Sequence, residues 1–219
     1  MFDATIRRLI DPSLDRLGAA LARCGLGANA ITVGGFLFGV GSWVSLALDA
    51  PLPALGFIAA NRVADGLDGA VARRVGPTDL GGYLDIVLDF LFYAGVPFFF
   101  AVGRPADALP ACFLAFSFVG TGGSFLAFAA IAAKRGLTTT ARGRKSIYYL
   151  GGLTVGAETI ALFVLVCLVP DHFAALAWAF GGLCWVTTAC RISEAVIAFR
   201  PPIRSTTDNT DNTDKNKMT

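Results

Sequence analysis

The amino-acid sequence predicts an all-α integral membrane protein: an N-terminal amphipathic surface helix followed by six transmembrane helices. Three observations predict it. Of 219 residues, 55% are hydrophobic and 16% charged, with a mean hydropathy of +0.63; ordinary soluble domains carry more charge and less apolar area. The apolar residues gather in stretches long enough to cross ~30 Å of hydrocarbon at ~1.5 Å per residue. The basic residues fall almost entirely on alternate connections between those stretches.

Residues 1–26 place Phe2, Ile6, Leu9, Leu14, Leu17 and Leu21 at helical spacing, with Arg7, Arg8, Asp11, Asp15 and Arg16 mostly between them. This pattern predicts an amphipathic juxtamembrane helix, lying on the bilayer surface or docked on the protein's own cytoplasmic face. The catalytic domain, 27–200, holds spans over 30–49, 51–73, 80–103, 108–133, 147–169 and 173–199. The second span is apolar in its first half and polar in its second. Gly35/Gly39 and Gly152/Gly156 have the small-xxx-small spacing that lets helices approach closely. The tail, 201–219, has no apolar residue between Ser205 and Met218 and is expected to be disordered. The five cysteines show no paired spacing and read as small packing residues. The one histidine, His172, sits in an outer loop, so acid–base chemistry falls to carboxylates.

With six spans, the N-terminal segment, the 74–79 turn, the 134–146 loop and the tail share one side. That side holds Arg7, Arg8, Arg16, Arg23, Arg73, Arg74 and the run Lys134, Arg135, Arg142, Arg144 and Lys145; the opposite loops hold only Arg104. Positive charge stays inside, so both termini and the active site are expected to be cytoplasmic, in a bacterial inner (plasma) membrane. The expected partners are membrane lipids, not nucleic acid.

The unusual stretch is Asp65–Asp89, DGLDGAVARRVGPTDLGGYLDIVLD. Ionisable groups at membrane depth cost at least ~2.5 kcal/mol each and usually mark function. Asp65 and Asp68 are three residues apart, and Asp85 and Asp89 four apart, so each pair shares one helical face. If the second and third spans form a hairpin turning near Pro77, Asp68 falls level with Asp85 and Asp65 level with Asp89. Four carboxylates in one low-dielectric layer need cations. Oxygen-only ligands suit Mg²⁺ or Mn²⁺ rather than zinc, and two divalent cations bridged by shared aspartates are the simplest solution. Gly69 and Ala72 lie one turn after Asp65 and Asp68 and leave a floor without bulky side chains. Arg73 can reach a phosphate through two donors. Together these features describe a pyrophosphate site, with Asp89 the candidate catalytic base for an alcohol.

The arrangement D-x-x-D-G-x-x-A-R followed by G-x-x-x-D-x-x-x-D, carried by Asp65, Asp68, Gly69, Ala72, Arg73, Gly81, Asp85 and Asp89, resembles the signature of the CDP-alcohol phosphatidyltransferases. The connection between Arg73 and Gly81 is one residue shorter than is usual there, which a deletion in the turn absorbs. GLGANAIT, before the first span, also resembles the family's entry into that helix. The resemblance implies transfer of a phosphatidyl group from a CDP-linked lipid such as CDP-diacylglycerol to an alcohol or alcohol phosphate, with release of CMP. It implies two divalent cations on Asp65, Asp68, Asp85 and Asp89, with Asp89 the general base and Gly69 and Arg73 on the nucleotide. It also implies a homodimer.

Other polar residues extend the picture. Arg62, one turn before Asp65, is placed to pair with it or to touch phosphate. Arg142, Arg144 and Lys145 either bind a phosphorylated acceptor or mark topology and anionic lipid. Glu158 and Arg191, counted from the cytoplasmic ends of their spans, sit at the depth of the aspartates; they either line the acceptor pocket or form internal ion pairs, Arg191 with Glu158 or Glu194. Two functions of other kinds compete. An ion or solute transporter would use the carboxylates as a pathway, but the sequence shows no inverted repeat or interrupted helix. An inactive lipid-binding homologue would have no need of the intact aspartates.

Overall fold

The connection that matters most for the site is three residues long. A long helix ends at Val75. Gly76 follows at φ +98°, ψ +130°, a backbone region open in practice to glycine alone. Pro77 cannot continue the helix, and Thr78 caps the next one, its Oγ1 accepting from the Gly81 amide at 3.0 Å. The chain therefore reverses at once and sets two helices side by side.

The computed structural model describes residues 2–136 and 156–200, with side chains described from residue 13. Among the described residues the chain is helical and contains no strand. The helices are α1 (Phe2–Arg23), α2 (Ala28–Ala47), α3 (Pro51–Val75), α4 (Asp79–Gly103), α5 (Ala108–Lys134), α6 (Gly156–Leu168) and α7 (Phe173–Ala198), with single 3₁₀ turns at Pro105–Asp107 and Pro170–His172. Four of them, α2, α4, α5 and α7, are long and apolar enough to cross a membrane. The 25-residue α3 has the length, but its second half carries the charged residues. The expected disordered tail over 201–219, the start of the fifth span at 147–155 with Gly152, and the basic residues Arg142, Arg144 and Lys145 lie outside the described residues.

Helix α2 packs against both α3 and α4. A β-carbon at Gly35 would come within 2.8 Å of the Ala64 methyl, and one at Gly39 within 3.0 Å of the Phe92 ring. The close approach lets Asn61 Nδ2 on α3 donate to the Gly35 carbonyl at 2.8 Å. Behind this wedge the core is aromatic. Phe92 meets Phe163 edge to face at 5.9 Å, and Phe100 stacks on Phe173 at 3.9 Å, joining α4 to α6 and α7. Large apolar side chains also point outward, among them Leu48, Leu109, Val119 and Ile197, each about 70% exposed. In water such a surface invites association; against lipid it is the ordinary exterior.

The first helix is docked on the protein. On α1, Leu14 covers Gly66 and Gly18 sits against Ala70, while Asp15 accepts from Arg73 Nη2 at 3.0 Å and the Asp15 carbonyl from Arg74 at 3.1 Å. At the opposite end of the helices, Arg104 donates to Asp49 at 2.6 Å and to Asp171 at 2.9 Å, tying three connections together.

Candidate active site

The short turn brings the polar half of α3 against the first half of α4. One carboxylate oxygen from each of Asp65, Asp68 and Asp85 lies within 4.8 Å of the other two. Asp68 is buried, and Thr32 on α2 donates to its Oδ2 at 2.6 Å. Asp89 stands on the wall of the same cavity with Asp65, Asp68 and Asp85. Its Oδ1 accepts from Arg62 Nη2 at 2.8 Å, and Arg62 Nη1 lies 3.5 Å from Asp65. Arg62 therefore joins the two aspartates that helix counting places at one level.

A larger cavity, about 460 Å³, opens from the carboxylates toward the turn. Asp68 and Asp85 form its inner end; Asn29, Gly69, Ala72 and Gly82 form its sides. A β-carbon at Gly69 would meet nothing closer than Arg73 Nη1 at 3.5 Å, so packing does not require glycine there. Gly81 differs: a β-carbon would come within 2.8 Å of Asn29 Oδ1, where the start of α2 closes on α4. Arg73 lies at the side of Gly69, more than half exposed, and pairs with Asp15 of α1.

The donor set suits a hard divalent cation. Three convergent carboxylates on two rigid helices, with a fourth alongside, match the all-oxygen shells of Mg²⁺ or Mn²⁺ and lack the nitrogen and sulfur donors typical of zinc. Asp65, Asp68 and Asp85 could hold such an ion.

Neither Arg191 nor Glu158 lines the two cavities at the aspartates. Arg191 is buried between α5 and α7, donates to the Thr121 carbonyl at 2.7 Å, and lines a separate cavity of about 320 Å³ with Ser124, Ala127 and Phe128. Glu158 is half-buried in the first turn of α6 and lines neither cavity around the aspartates. Counting from helix ends sets depth but not the direction a side chain takes around the axis.

Three site residues were not singled out in the sequence: Thr32, Asn61 and Tyr93. Thr32 lies at the end of the GLGANAIT segment, and Asn61 is a polar residue in an apolar half-span; each gave a signal without a partner. Tyr93, one turn beyond Asp89, accepts from Arg62 at 3.2 Å.

The profile of the CDP-alcohol phosphatidyltransferase family matches residues 25–192, covering every helix from α2 through the site and most of α7. The chain belongs to the CDP-alcohol phosphatidyltransferase family. Among curated relatives of this transferase, the "Inner membrane protein YnjF" of Escherichia coli is 51% identical over 193 residues, 88% of this chain and 94% of that protein. The archaetidylinositol phosphate synthase of Methanothermobacter thermautotrophicus is 41% identical over 91 residues, 41% of this chain and 43% of that enzyme. That of Pyrococcus horikoshii is 34% identical over 99 residues, 45% of this chain and 53% of the enzyme.

Proposed function

We propose that this transferase moves a phosphatidyl group from CDP-diacylglycerol to an alcohol and releases CMP, in phospholipid synthesis at a bacterial inner membrane. The observation that carries the proposal is the meeting of Asp65, Asp68 and Asp85 at one end of an open cavity floored by Gly69 and Ala72. In this reading α3 and α6 join the four apolar helices as six spans after the N-terminal helix, and the cavity opens to the cytoplasm; the support is the basic residues on that side's connections.

In this reading Asp65, Asp68 and Asp85, together with Asp89, hold two divalent cations, Mg²⁺ or Mn²⁺. When bound, these supply charge neutralisation to the pyrophosphate. The residues of the chain do the rest. Gly69 and Ala72 admit the nucleotide against the α3 backbone. Arg73, at the rim, exchanges its exposed partner Asp15 for a phosphate oxygen, at little cost because an exposed pair contributes under about 1 kcal/mol. Asp89 takes the proton of the acceptor hydroxyl at its carboxylate, the oxygen so freed attacks the lipid-bearing phosphorus, and CMP leaves.

The acceptor we favour is a phosphorylated alcohol. The support is the likeness to the two archaetidylinositol phosphate synthases, together with the basic cluster Arg142, Arg144 and Lys145 in the sequence. The test supplies CDP-diacylglycerol with alcohols and alcohol phosphates in turn and measures CMP release with and without EDTA. Metal-dependent release with one acceptor class is expected. No release with any acceptor, or aspartate-dependent ion flux without nucleotide turnover, overturns the proposal.

A further inference from the structure

Arg62 is held more completely than a structural ion pair requires. Its Nε and Nη2 both donate to Asn61 Oδ1, at 2.9 and 2.7 Å, and Asn61 is itself anchored to the α2 backbone. Nη2 also donates to Asp89 at 2.8 Å, and Nη1 to the Tyr93 hydroxyl at 3.2 Å with Asp65 at 3.5 Å. The guanidinium plane lies over Phe92 at 4.9 Å and Tyr93 at 5.5 Å. Each of its five N–H groups thus faces a partner, on two helices, α3 and α4. The same side chain lines the cavity that the carboxylates line.

A guanidinium stays charged at every working pH. Four carboxylates and Arg62 leave three net negative charges in the layer; two divalent cations would turn that into one positive charge, facing an anionic pyrophosphate. Without Arg62 the loaded layer would be neutral and the empty one harder to keep in low dielectric.

We propose that Arg62 is a positioning residue for Asp89 and the permanent counter-charge of the carboxylate layer. It fixes Asp89 Oδ1, leaving the second oxygen for the acceptor hydroxyl, and it weakens the layer's hold on divalent cations. The positioning half rests on the reading of Asp89 as base; the counter-charge half does not.

The test uses the full-length protein in detergent or nanodiscs. Mn²⁺ binding is read by the loss of the free-ion electron paramagnetic resonance signal, and kcat and KM by CMP release. Arg62→Met is expected to bind Mn²⁺ at least about threefold more tightly than the wild type, because a like charge beside the ion is gone. General structural damage would loosen binding, so the sign of the change separates the two. Its kcat is expected to fall roughly tenfold or more, with KM for CDP-diacylglycerol within about threefold. Arg62→Lys restores the charge but not the planar fork, so it should show Mn²⁺ affinity near that of the wild type with a kcat still roughly tenfold low. Unchanged or weaker Mn²⁺ binding by Arg62→Met overturns the counter-charge role, and full kcat in Arg62→Lys overturns the positioning role. Should Arg62→Met fail to elute as a monodisperse peak, Arg62→Lys decides both: weakened Mn²⁺ binding or full kcat sinks the proposal. Full activity in Asp89→Asn would remove the base, and the positioning role with it, while the Mn²⁺ titration still reads the counter-charge.

Discussion

Thr32 and Asp68 are 36 positions apart in sequence and meet at 2.6 Å, the Thr32 hydroxyl donating to the buried carboxylate from the first turns of α2. The bond fixes the orientation of the Asp68 carboxylate and ties α2 to the site. Thr32→Val keeps the shape of the side chain and removes the donor. A hydrogen bond to a charged group contributes about 1.5–3 kcal/mol, so activity should fall roughly tenfold and the Mg²⁺ concentration for half-maximal activity should rise. Wild-type metal dependence in Thr32→Val would show that Asp68 needs no such support.

Removing a single carboxylate gives a sharper result. Asp68→Asn and Asp85→Asn each take a charge from the convergent cluster while preserving size. Both are expected to lose at least about a hundredfold in CMP release, with excess Mg²⁺ restoring only part of it. The check is a Mg²⁺ titration of each purified variant. Activity within a few-fold of the wild type would place the chemistry elsewhere.

Gly69 separates binding from folding. Open space surrounds it apart from Arg73 Nη1, so Gly69→Leu fills the cavity without striking the helices. Thermal stability should stay close to that of the wild type, and glycine replacement inside a helix lowers backbone entropy in the unfolded chain. KM for the CDP-linked lipid should rise by roughly tenfold or more. A loss of stability with unchanged KM would reverse the assignment.

Gly35 should behave in the opposite way. Any side chain there runs into Ala64 on α3 and disturbs the Asn61 bond to the Gly35 carbonyl. Gly35→Leu is expected to destabilise the protein by about 1–3 kcal/mol through overpacking, seen as a lower midpoint in a detergent thermal-unfolding assay. Activity per folded molecule should fall less than in Gly69→Leu.

The sequence carried the parts of this site that depend on chain-local spacing. Asp65 and Asp68 share a face because they are three apart on α3, and the Gly76–Pro77–Thr78 turn brings Asp85 opposite them. Helix limits agree with the apolar stretches to within a few residues for α2 through α5 and for α7. What required coordinates was rotation and choice of partner. Arg62 was expected beside Asp65, and it reaches Asp65, but its shorter bond is to Asp89 on the neighbouring helix. Arg73 has the reach to meet a phosphate, yet in the protein alone its near partner is Asp15, contributed by a helix whose docking no local pattern determined. Arg191, which counting from the helix end sets level with the aspartates, lines another cleft, where the packing of α7 on α5 turns it toward the Thr121 carbonyl.

The Gly76–Pro77–Thr78 link also limits how the protein can breathe. Three residues reach at most about 10 Å even when extended, so α3 and α4 cannot part at that end and must travel as one rigid fork. Room for a bulky head group has to come from the other wall, at the beginning of α2. There the lead-in runs through Gly25, at φ +78°, and Gly27, and its swing would carry Thr32 away from Asp68 as the mouth widens.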